Sequence, residues 1–268
     1  MNETVLHQLD ARGVATLTLN RPQINNAYDE ALIDGVLQAL DALGPVASLR
    51  AVVVQANGRH FQAGADLGWL ARVAGDSPAA NVRASRRTAE LVHRLNTLPV
   101  PTIALVQGAC FGGGTGIVAA CDVAIAATNA IFAIAESRWG LIANIIVPQL
   151  ADAIGIRQLR RYALTGERFD AAEALRIGLV HEVVAPAALA ETGARIADQL
   201  LQNAPQATTQ TKAAILEQAH GDVSSQAFER AVSQHAARRQ SDEAAEGFAS
   251  FRQKRAARWY PGKPETRS

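Results

Sequence analysis

The sequence predicts an α/β protein, and three observations support that prediction. Over the first two thirds of the 268 residues, segments with strand-like patterns alternate with amphipathic helical segments. Two of the strand segments, "RAVVVQA" (50–56) and "TIALVQG" (102–108), are apolar almost throughout, which is typical of strands buried on both faces of a parallel sheet. Hydrophobic residues make up 49% of the chain, enough for a sizeable core.

The predicted elements follow in order along the chain. The first strand, "GVATLTLN" (13–20), alternates polar and apolar residues and stops before Pro22. A helix is predicted from Asp29 to Leu43, because leucine and valine recur on one face. The later elements are strands over 50–56, 102–108, 123–127, 131–135 and 178–184, a helix over 79–98, and mainly helical sequence from about residue 145 onward. Asp170 is predicted to cap one of these helices, with Glu173 as its capping-box partner.

Charge and composition exclude several classes of function. The net charge of +1 and the pI near 7.9 indicate neither a nucleic-acid partner nor a membrane surface. The apolar stretch 116–135 contains Asp122 and two further polar residues, so it is predicted to be buried core and not a membrane helix. Cys110 and Cys121 lie eleven residues apart, so buried thiols are expected and no metal is predicted. The first residues show no signal peptide, and a cytoplasmic location is expected.

The glycine-rich segment "GACFGGGTGIVAACD" (108–122) has two interpretations. Gly114 to Ala119 matches the G-x-G-x-x-A fingerprint of dinucleotide sites, follows a strand, and has Glu136 at a suitable distance beyond it. However, the strand at 123–127 begins so soon that the helix before it is shorter than a parallel crossover requires.

The second interpretation of this segment is an oxyanion hole. Glycines at a helix N-terminus let free backbone N–H groups approach a developing negative charge. Such a hole needs a second donor, and the small-residue loop "FQAGADL" (61–67), which follows an apolar strand, is suited to supply it. Two tight turns that bind no ligand are the alternative.

Five stretches together resemble the enoyl-CoA hydratase/isomerase (crotonase) superfamily. In chain order they are "LNRPQINNAYDEAL", "FQAGADL", "PTIALVQGACFGGGTGIVAACDVAIA", "ALTGERFDAAEALRIGLVHEVV" and "GFASFRQKRAARW". The resemblance implies a spiral of ββα units, with the active site in residues 1–200 and a helical section in residues 201–268 for trimerisation and closure over CoA. It also implies an acyl-CoA thioester substrate, no separate cofactor, and a homotrimer or a dimer of trimers.

The resemblance also implies roles for individual residues. The backbone amides of Ala65 and Gly113 form the hole for a thioester enolate. The residues expected along the CoA and acyl groove are Ala63, Asp66, Leu67, Gly112, Trp139, Ala143, Phe251 and Lys254. Phe251 and Lys254 match residues that close over the nucleotide, whereas by its local sequence alone Lys254 is a solvated charge on a basic helix.

Familiar hydratases of this superfamily use two glutamates, and this chain has one of them. Gly116 stands at the first position and Glu136, in "FAIAESRWG", at the second. A single carboxylate is able to take a proton from water and return it to Cα, or to move a proton between two carbons. The resemblance therefore implies a hydratase or a Δ3,Δ2-enoyl isomerase. The alternatives are a non-catalytic acyl-CoA binder and, for Glu136, a carboxylate that only stabilises a helix N-terminus.

Within the superfamily, the chain resembles bacterial hydratases of 3-branched glutaconyl-CoA esters, whose branch is a methyl or an isohexenyl group. The resemblance rests on "FQAGADLGWLARVAGDS", the glycine at 116 and "GERFDAAEALRIGLVHEVV". After Glu136 the chain departs from the methylglutaconyl pattern, with Trp139 and Ala143-Asn144 beside the expected acyl pocket. Because alanine leaves space and tryptophan offers an apolar wall, we expect a larger acyl tail and favour the isohexenyl ester.

Overall fold

A six-stranded sheet lies at the centre of the computed structural model, which describes residues 4–203, 205–219 and 225–255. In spatial order its strands are Val5–Leu9 (β1), Val14–Leu19 (β2), Ala51–Ala56 (β3), Thr102–Val106 (β4), Val123–Ala127 (β6) and Glu182–Val184 (β9). The pair β1–β2 is antiparallel and the other pairs are parallel. Strand β4 is buried along its whole length, which explains its continuous apolar sequence.

A second sheet of three short strands alternates with the first along the chain. Its strands are Ala109–Phe111 (β5), Ile131–Ala133 (β7) and Phe169–Asp170 (β8), in the order β5-β7-β8. The strand predicted over 131–135 is present but shorter, and it belongs to this second sheet. Each of β4 and β6 is followed by a strand of the second sheet and then by helical structure. The predicted α/β spiral of ββα units is confirmed.

Helices fill most of the remaining described chain. They are Glu30–Leu43 (α1), Leu67–Gly75 (α2), Pro78–Asn96 (α3), Gly113–Ala119 (α4), Val147–Thr165 (α5), Ala171–Ile177 (α6), Leu189–Leu201 (α7), Pro205–Ala219 (α8), Ser225–Arg239 (α9) and Asp242–Arg252 (α10). The predicted apolar face of α1, which includes Leu32, Val36 and Leu40, is buried in the core.

Helix α6 begins at the predicted aspartate cap. The Asp170 carboxylate accepts a hydrogen bond from the N–H of Glu173 at 2.8 Å. The side chain of Glu173 does not complete a capping box, because its carboxylate binds the guanidinium of Arg176 and accepts a hydrogen bond from the hydroxyl of Tyr162. The cap was thus predictable from local sequence, whereas the Tyr162 contact depends on how α5 packs against α6.

The helices after residue 201 pack back onto the preceding core. Helix α9 lies along α3, where Arg86 forms an ion pair with Glu229. Helix α8 is attached to the main sheet through an ion pair between Lys212 and Asp122 at 2.7 Å. The boundary between residues 1–200 and 201–268 stays a prediction, and the last part of the helical section, residues 256–268, lies outside the described residues.

The described residues include no helix that is both long enough and apolar enough to span a bilayer. They contain no group of three or more His, Cys, Asp or Glu residues arranged to hold a metal ion. Cys110 and Cys121 are buried and form no disulfide, as predicted. Burial raises the pKa of the Cys121 thiol to about 12, so neither position offers a reactive thiolate.

Candidate active site

A cleft of about 560 Å³ lies where the loop before α2, the loop before α4 and the turn after β7 meet. Nine of the residues predicted from the sequence line it, and they are Ala63, Ala65, Asp66, Leu67, Gly112, Gly113, Glu136, Trp139 and Phe251. The parallel pairing of β5 with β7 and a parallel bridge between Gln62 and Cys110 hold these three segments side by side, which brings distant parts of the sequence together.

Two predicted site residues lie elsewhere. Ala143 lines a smaller cavity next to the cleft. Lys254 does not line the cleft, because it lies exposed in the turn after α10, with a φ of 49°. Its predicted role over the nucleotide stays a prediction.

The first wall of the cleft is the loop over residues 61–67, which backbone hydrogen bonds hold from both sides. The N–H of Tyr28 donates to the carbonyl of Gly64 at 2.9 Å, and the N–H of Asp66 donates to the carbonyl of Tyr28 at 2.8 Å. The N–H of Ala63 donates to the carbonyl of Asn25 at 3.1 Å. No described residue accepts a hydrogen bond from the N–H of Ala65, which leaves this donor at the wall of the cleft.

The second wall is the turn that leads into α4. Gly112 has a φ of +52°, which favours glycine, and a Cβ there would lie 3.1 Å from Oε1 of Glu136. A Cβ at Gly113 would lie 2.7 Å from Cε1 of Tyr28. Gly113 is the first residue of α4, and among the described residues its N–H has no acceptor. The glycines therefore bring backbone close to two side chains of the cleft.

Ala65 and Gly113 thus present two backbone N–H groups to one cleft. Donors that are fixed by backbone structure need no reorganisation when an oxygen in front of them becomes negative. This arrangement is suited to a carbonyl oxygen that becomes an oxyanion during a reaction.

Glu136 is the acid beside these donors. It begins the short 3-10 turn Glu136–Trp139 after β7, and it lines both the cleft and the smaller cavity. Its Oε2 is buried, and no hydrogen-bond partner for it occurs among the described residues. Burial raises the pKa of Glu136 to about 7, against the opposing effect of hydrogen bonds from the backbone of Glu136 and Ala135. A carboxyl group with this pKa exchanges protons readily near neutral pH.

The other acid at the cleft, Asp66, is occupied by local structure. Its carboxylate accepts a hydrogen bond from the N–H of Trp69 at 2.7 Å and so caps α2. In the part of the chain that the structure describes, Glu136 is therefore the cleft acid available for proton transfer.

The position of Gly116 shows why no second acid stands there. A Cβ at Gly116 would lie 2.2 Å from Cγ2 of Ile146. Ile146 is almost fully buried, so its side chain fills the space that a longer residue at 116 would need. A glutamate at position 116 would therefore require a smaller side chain at position 146.

The smaller cavity has a volume of about 20 Å³, room for about one water molecule. Its lining is mainly apolar and includes Ile33, Leu91, Val92, Ile117, Ile142, Ala143, Ile145 and Ile146. Trp139 does not line it; the Trp139 ring lies in the cleft, edge-on to Phe251 with the ring centroids 5.1 Å apart. Trp139 and Ala143, which we expected beside one acyl pocket, thus line different parts of the site.

Several polar side chains at the cleft were not predicted from the sequence, among them Tyr28, Arg138, Arg168 and His235. Tyr28 lies inside the stretch "LNRPQINNAYDEAL", and its place in that motif is the sequence signal that points to it. Arg138 and Arg168 place positive charge at the cleft, which suits a ligand with phosphate groups. His235 lies in α9, and nothing in its local sequence indicated that α9 reaches the site.

The dinucleotide interpretation of the glycines does not fit this geometry. Helix α4 has seven residues and follows β5 of the second sheet, not a strand of the main parallel sheet. Gly116, the second glycine of the fingerprint, faces Ile146 and not the cleft. A dinucleotide site requires that glycine to let the backbone approach a pyrophosphate.

Comparisons with known proteins agree with this geometry. Residues 10–262 match the family model described as Enoyl-CoA hydratase/isomerase. A mitochondrial Delta(3,5)-Delta(2,4)-dienoyl-CoA isomerase of Dictyostelium discoideum is 30% identical over 93% of this chain and 88% of its own. A hydroxycinnamoyl-CoA hydratase-lyase of Pseudomonas fluorescens is 35% identical over 72% of this chain and 71% of its own. The crystal structure of an enoyl-CoA hydratase from Shewanella pealeana aligns with a TM-score of 0.78 at 34% identity, covering 96% of each chain.

Proposed function

The chain belongs to the enoyl-CoA hydratase/isomerase family, and on that premise we propose that it adds water to the double bond of an α,β-unsaturated acyl-CoA thioester. The observation that supports this best is the unpartnered, buried Oε2 of Glu136 in a cleft that also holds the unused amides of Ala65 and Gly113. Acid, donors and room for a substrate meet at one place.

The proposed reaction uses these groups in turn. The thioester oxygen accepts hydrogen bonds from the N–H groups of Ala65 and Gly113. The Glu136 carboxylate takes a proton from water while the water oxygen bonds to Cβ of the substrate, and the electron pair of the double bond moves through Cα to the thioester oxygen. Glu136 then returns the proton to Cα, and the thioester carbonyl and the carboxylate are restored.

For the substrate, we propose a 3-branched glutaconyl-CoA ester. Two segments support this class, because the stretch that begins with the loop at 61–67 and the segment from Gly166 to Val184 resemble bacterial hydratases of 3-branched glutaconyl-CoA esters. The cavity at Ala143 provides an apolar surface for the branch. Its volume of about 20 Å³ supports the methyl branch better than the isohexenyl tail that we expected from the sequence.

An isomerase that moves the double bond between two positions of an enoyl-CoA is the second candidate. It is favoured by the single acid of the site, because isomerisation needs one group that removes a proton from one carbon and returns it to another. Ile146 fills the space beside Gly116, so position 116 supplies no second acid to activate water.

Product analysis separates the two candidates. The purified protein is incubated with 3-methylglutaconyl-CoA, isohexenylglutaconyl-CoA, a straight-chain 2-enoyl-CoA and a 3-enoyl-CoA, and the products are analysed by mass spectrometry. A hydratase adds the mass of one water to a 2-enoyl ester, whereas an isomerase converts the 3-enoyl ester without a change in mass. If no ester reacts, the remaining alternative is a non-catalytic acyl-CoA binder, and both proposals are wrong.

We also propose a cytoplasmic enzyme that needs no cofactor beyond the CoA of its substrate and that assembles as a homotrimer or a dimer of trimers. The support for the assembly is the resemblance of the C-terminal section to trimerisation helices. Light scattering coupled to size-exclusion chromatography measures the mass, and a monomer of 28.4 kDa would contradict the proposed assembly.

A further inference from the structure

Ser85, His235 and Arg239 form a second buried polar group beside the site, which we call the polar corner. The Ser85 hydroxyl lies 2.9 Å from Nδ1 of His235, and Nη2 of Arg239 donates to Ser85 Oγ at 2.5 Å. All three residues are buried. His235 lines both the cleft and the smaller cavity, as do Tyr28, Gly113 and Glu136. The polar corner therefore reaches both spaces through His235, whereas Ser85 and Arg239 lie behind it and line neither.

The hydrogen bonds of the polar corner favour one tautomer of His235. Ser85 Oγ accepts from Arg239, and Nδ1 of His235 is an acceptor for the Ser85 hydroxyl proton. Burial, with the charge of Arg239, lowers the pKa of His235 to about 3, so the ring is neutral, and when Nδ1 accepts from Ser85 the ring proton lies on Nε2. No described residue accepts a hydrogen bond from Nε2, which leaves this N–H as a donor toward the site.

Arg239 is a buried cation that no described carboxylate neutralises. It is 1% exposed, and Nη2 donates to the carbonyl of Asn81 at 2.7 Å and to Ser85. Its Nε and Nη1 have no hydrogen-bond partner among the described residues. The guanidinium carbon lies 5.6 Å from the centre of the Trp69 ring, which offsets only part of the cost of burying the charge.

We propose that the polar corner binds the free carboxylate of the glutaconyl group and thereby selects a CoA monothioester of a short dicarboxylic acid over an enoyl-CoA with a hydrocarbon tail. His235 Nε2–H donates to the carboxylate, and the charge of Arg239 behind it, acting through a medium of low dielectric constant, compensates the negative charge. The proposal rests on the proposed function, because the acyl group must lie between Glu136 and His235.

The two spaces beside His235 suit different parts of such an acyl group. The cleft, about 560 Å³, has room for the chain and its carboxylate, and the smaller cavity, about 20 Å³, for a methyl branch. Apart from His235, Tyr28, Thr88 and Glu136, the lining of the smaller cavity is apolar, and the Thr88 hydroxyl donates to the carbonyl of Ala84. One polar end and one apolar side match a chain that ends in a carboxylate and bears a hydrocarbon branch. A purely hydrocarbon acyl group would leave His235 Nε2 and the Arg239 charge unsatisfied.

Wild-type binding tests the proposal without any variant. Glutaryl-CoA and the amide made from its free carboxylate have the same size and differ in charge, and isothermal titration gives the Kd of each. We expect the acid to bind about 30-fold more tightly or better. Equal affinities, or a preference for the amide, would overturn the inference but not the proposed function. If neither thioester binds although an enoyl-CoA is converted in the product analysis, the inference is wrong and the proposed function stands. If no enoyl-CoA is converted either, both are wrong.

Arg239→Met removes the charge and keeps most of the side-chain length. In the folded variant we expect the Kd of the amide divided by the Kd of the acid to fall to near one. Most of this change should come from weaker binding of the acid. Arg86→Met is the matched control, because Arg86 also joins α3 to α9 but pairs with Glu229 outside the polar corner; it should keep the wild-type ratio. Ser85→Ala, which frees the His235 tautomer, should lower the ratio as well and serves if Arg239→Met does not fold. A full preference for the acid in either folded polar-corner variant would contradict the proposal.

Discussion

The group around Asp122 and the cleft around Glu136 each contain a carboxylate, but the hydrogen bonding of the two carboxylates differs. Oδ2 of the partly exposed Asp122 side chain accepts hydrogen bonds from the N–H and the hydroxyl of Thr102 at 2.7 and 3.0 Å and from Lys212 Nζ at 2.7 Å. In the cleft, the buried Oε2 of Glu136 has no partner among the described residues, and the N–H groups of Ala65 and Gly113 are unused by any described acceptor.

This difference distinguishes polar groups that stabilise the fold from polar groups that are available to a ligand. Satisfied polar groups hold elements together, and at Asp122 they join β4, the start of β6 and α8. Unsatisfied polar groups lower the stability of the free protein, and they persist where a ligand completes them. Changes at Asp122 and its partners should therefore affect stability, whereas changes in the cleft should affect turnover.

The largest effect is expected for Glu136→Gln. The amide keeps the shape of the side chain but cannot act as a base, so kcat should fall about 100-fold or more, while the thermal midpoint stays the same or rises because a buried ionisable group is gone. Steady-state assays and calorimetry measure the two quantities. Glu182→Gln, in an exposed ion pair with Arg195, is the control. A Glu136→Gln enzyme that retains most of its activity would show that Glu136 is not the catalytic acid.

The next largest effect should come from removing the N–H of Gly113. Gly113→Pro deletes this donor at the first position of α4, where a helix tolerates proline, and Gly113→Ala is matched to it because both variants add a Cβ near Tyr28. We expect kcat of the proline variant to be about 100- to 1000-fold below that of the alanine variant. Equal rates in the two folded variants would exclude the oxyanion role.

A smaller effect should appear in the dependence of stability on pH. The pKa of Glu136 is about 7 in the folded protein against an ordinary value of 4.5, so between these values the folded state holds a proton that the unfolded chain has released. Its contribution to stability is complete below pH 4.5 and is lost as the pH rises through 7, about 3 kcal/mol in all. The difference in unfolding free energy between wild type and Glu136→Gln, measured in urea from pH 4.5 to 8, should follow this course. A constant difference would refute the raised pKa.

The smallest effect is expected for Lys212→Met, which tests the satisfied group. It removes one of the donors to Asp122 and should lower the free energy of unfolding by about 2 kcal/mol, with kcat per folded molecule unchanged. Urea titration and active-site assays at saturating substrate check both parts. A loss of turnover without a loss of stability would contradict the distinction between the two regions.

The sequence predicted what local rules determine. The apolar runs identified β3, β4 and β6, the Asp170 cap marked the start of α6, and the glycines before α4 indicated where the backbone lines the cleft. Eight of the nine expected residues that line the cleft follow β3, β5 or β7, and parallel pairing around β5 holds these segments together.

What escaped prediction depends on packing between distant segments. Strands β5 and β7 have three residues each, too few for a pattern to assign them to a second sheet. The polar corner joins positions 150 residues apart in the chain, and only the packing of α9 against α3 brings Ser85 and His235 together. The placement of Lys254 outside the cleft likewise depends on where α10 ends.

The contact between Gly116 and Ile146 also constrains the order in which this sequence can change during evolution. A carboxylate cannot be introduced at position 116 while Ile146 occupies the adjoining space, since the new Cβ alone would lie 2.2 Å from the isoleucine side chain. Ile146 must first give way to a smaller residue, which by itself leaves a cavity and lowers stability. Each single substitution lowers stability, and only the two together restore the packing. Positions 116 and 146 are therefore expected to vary together among descendants of this lineage.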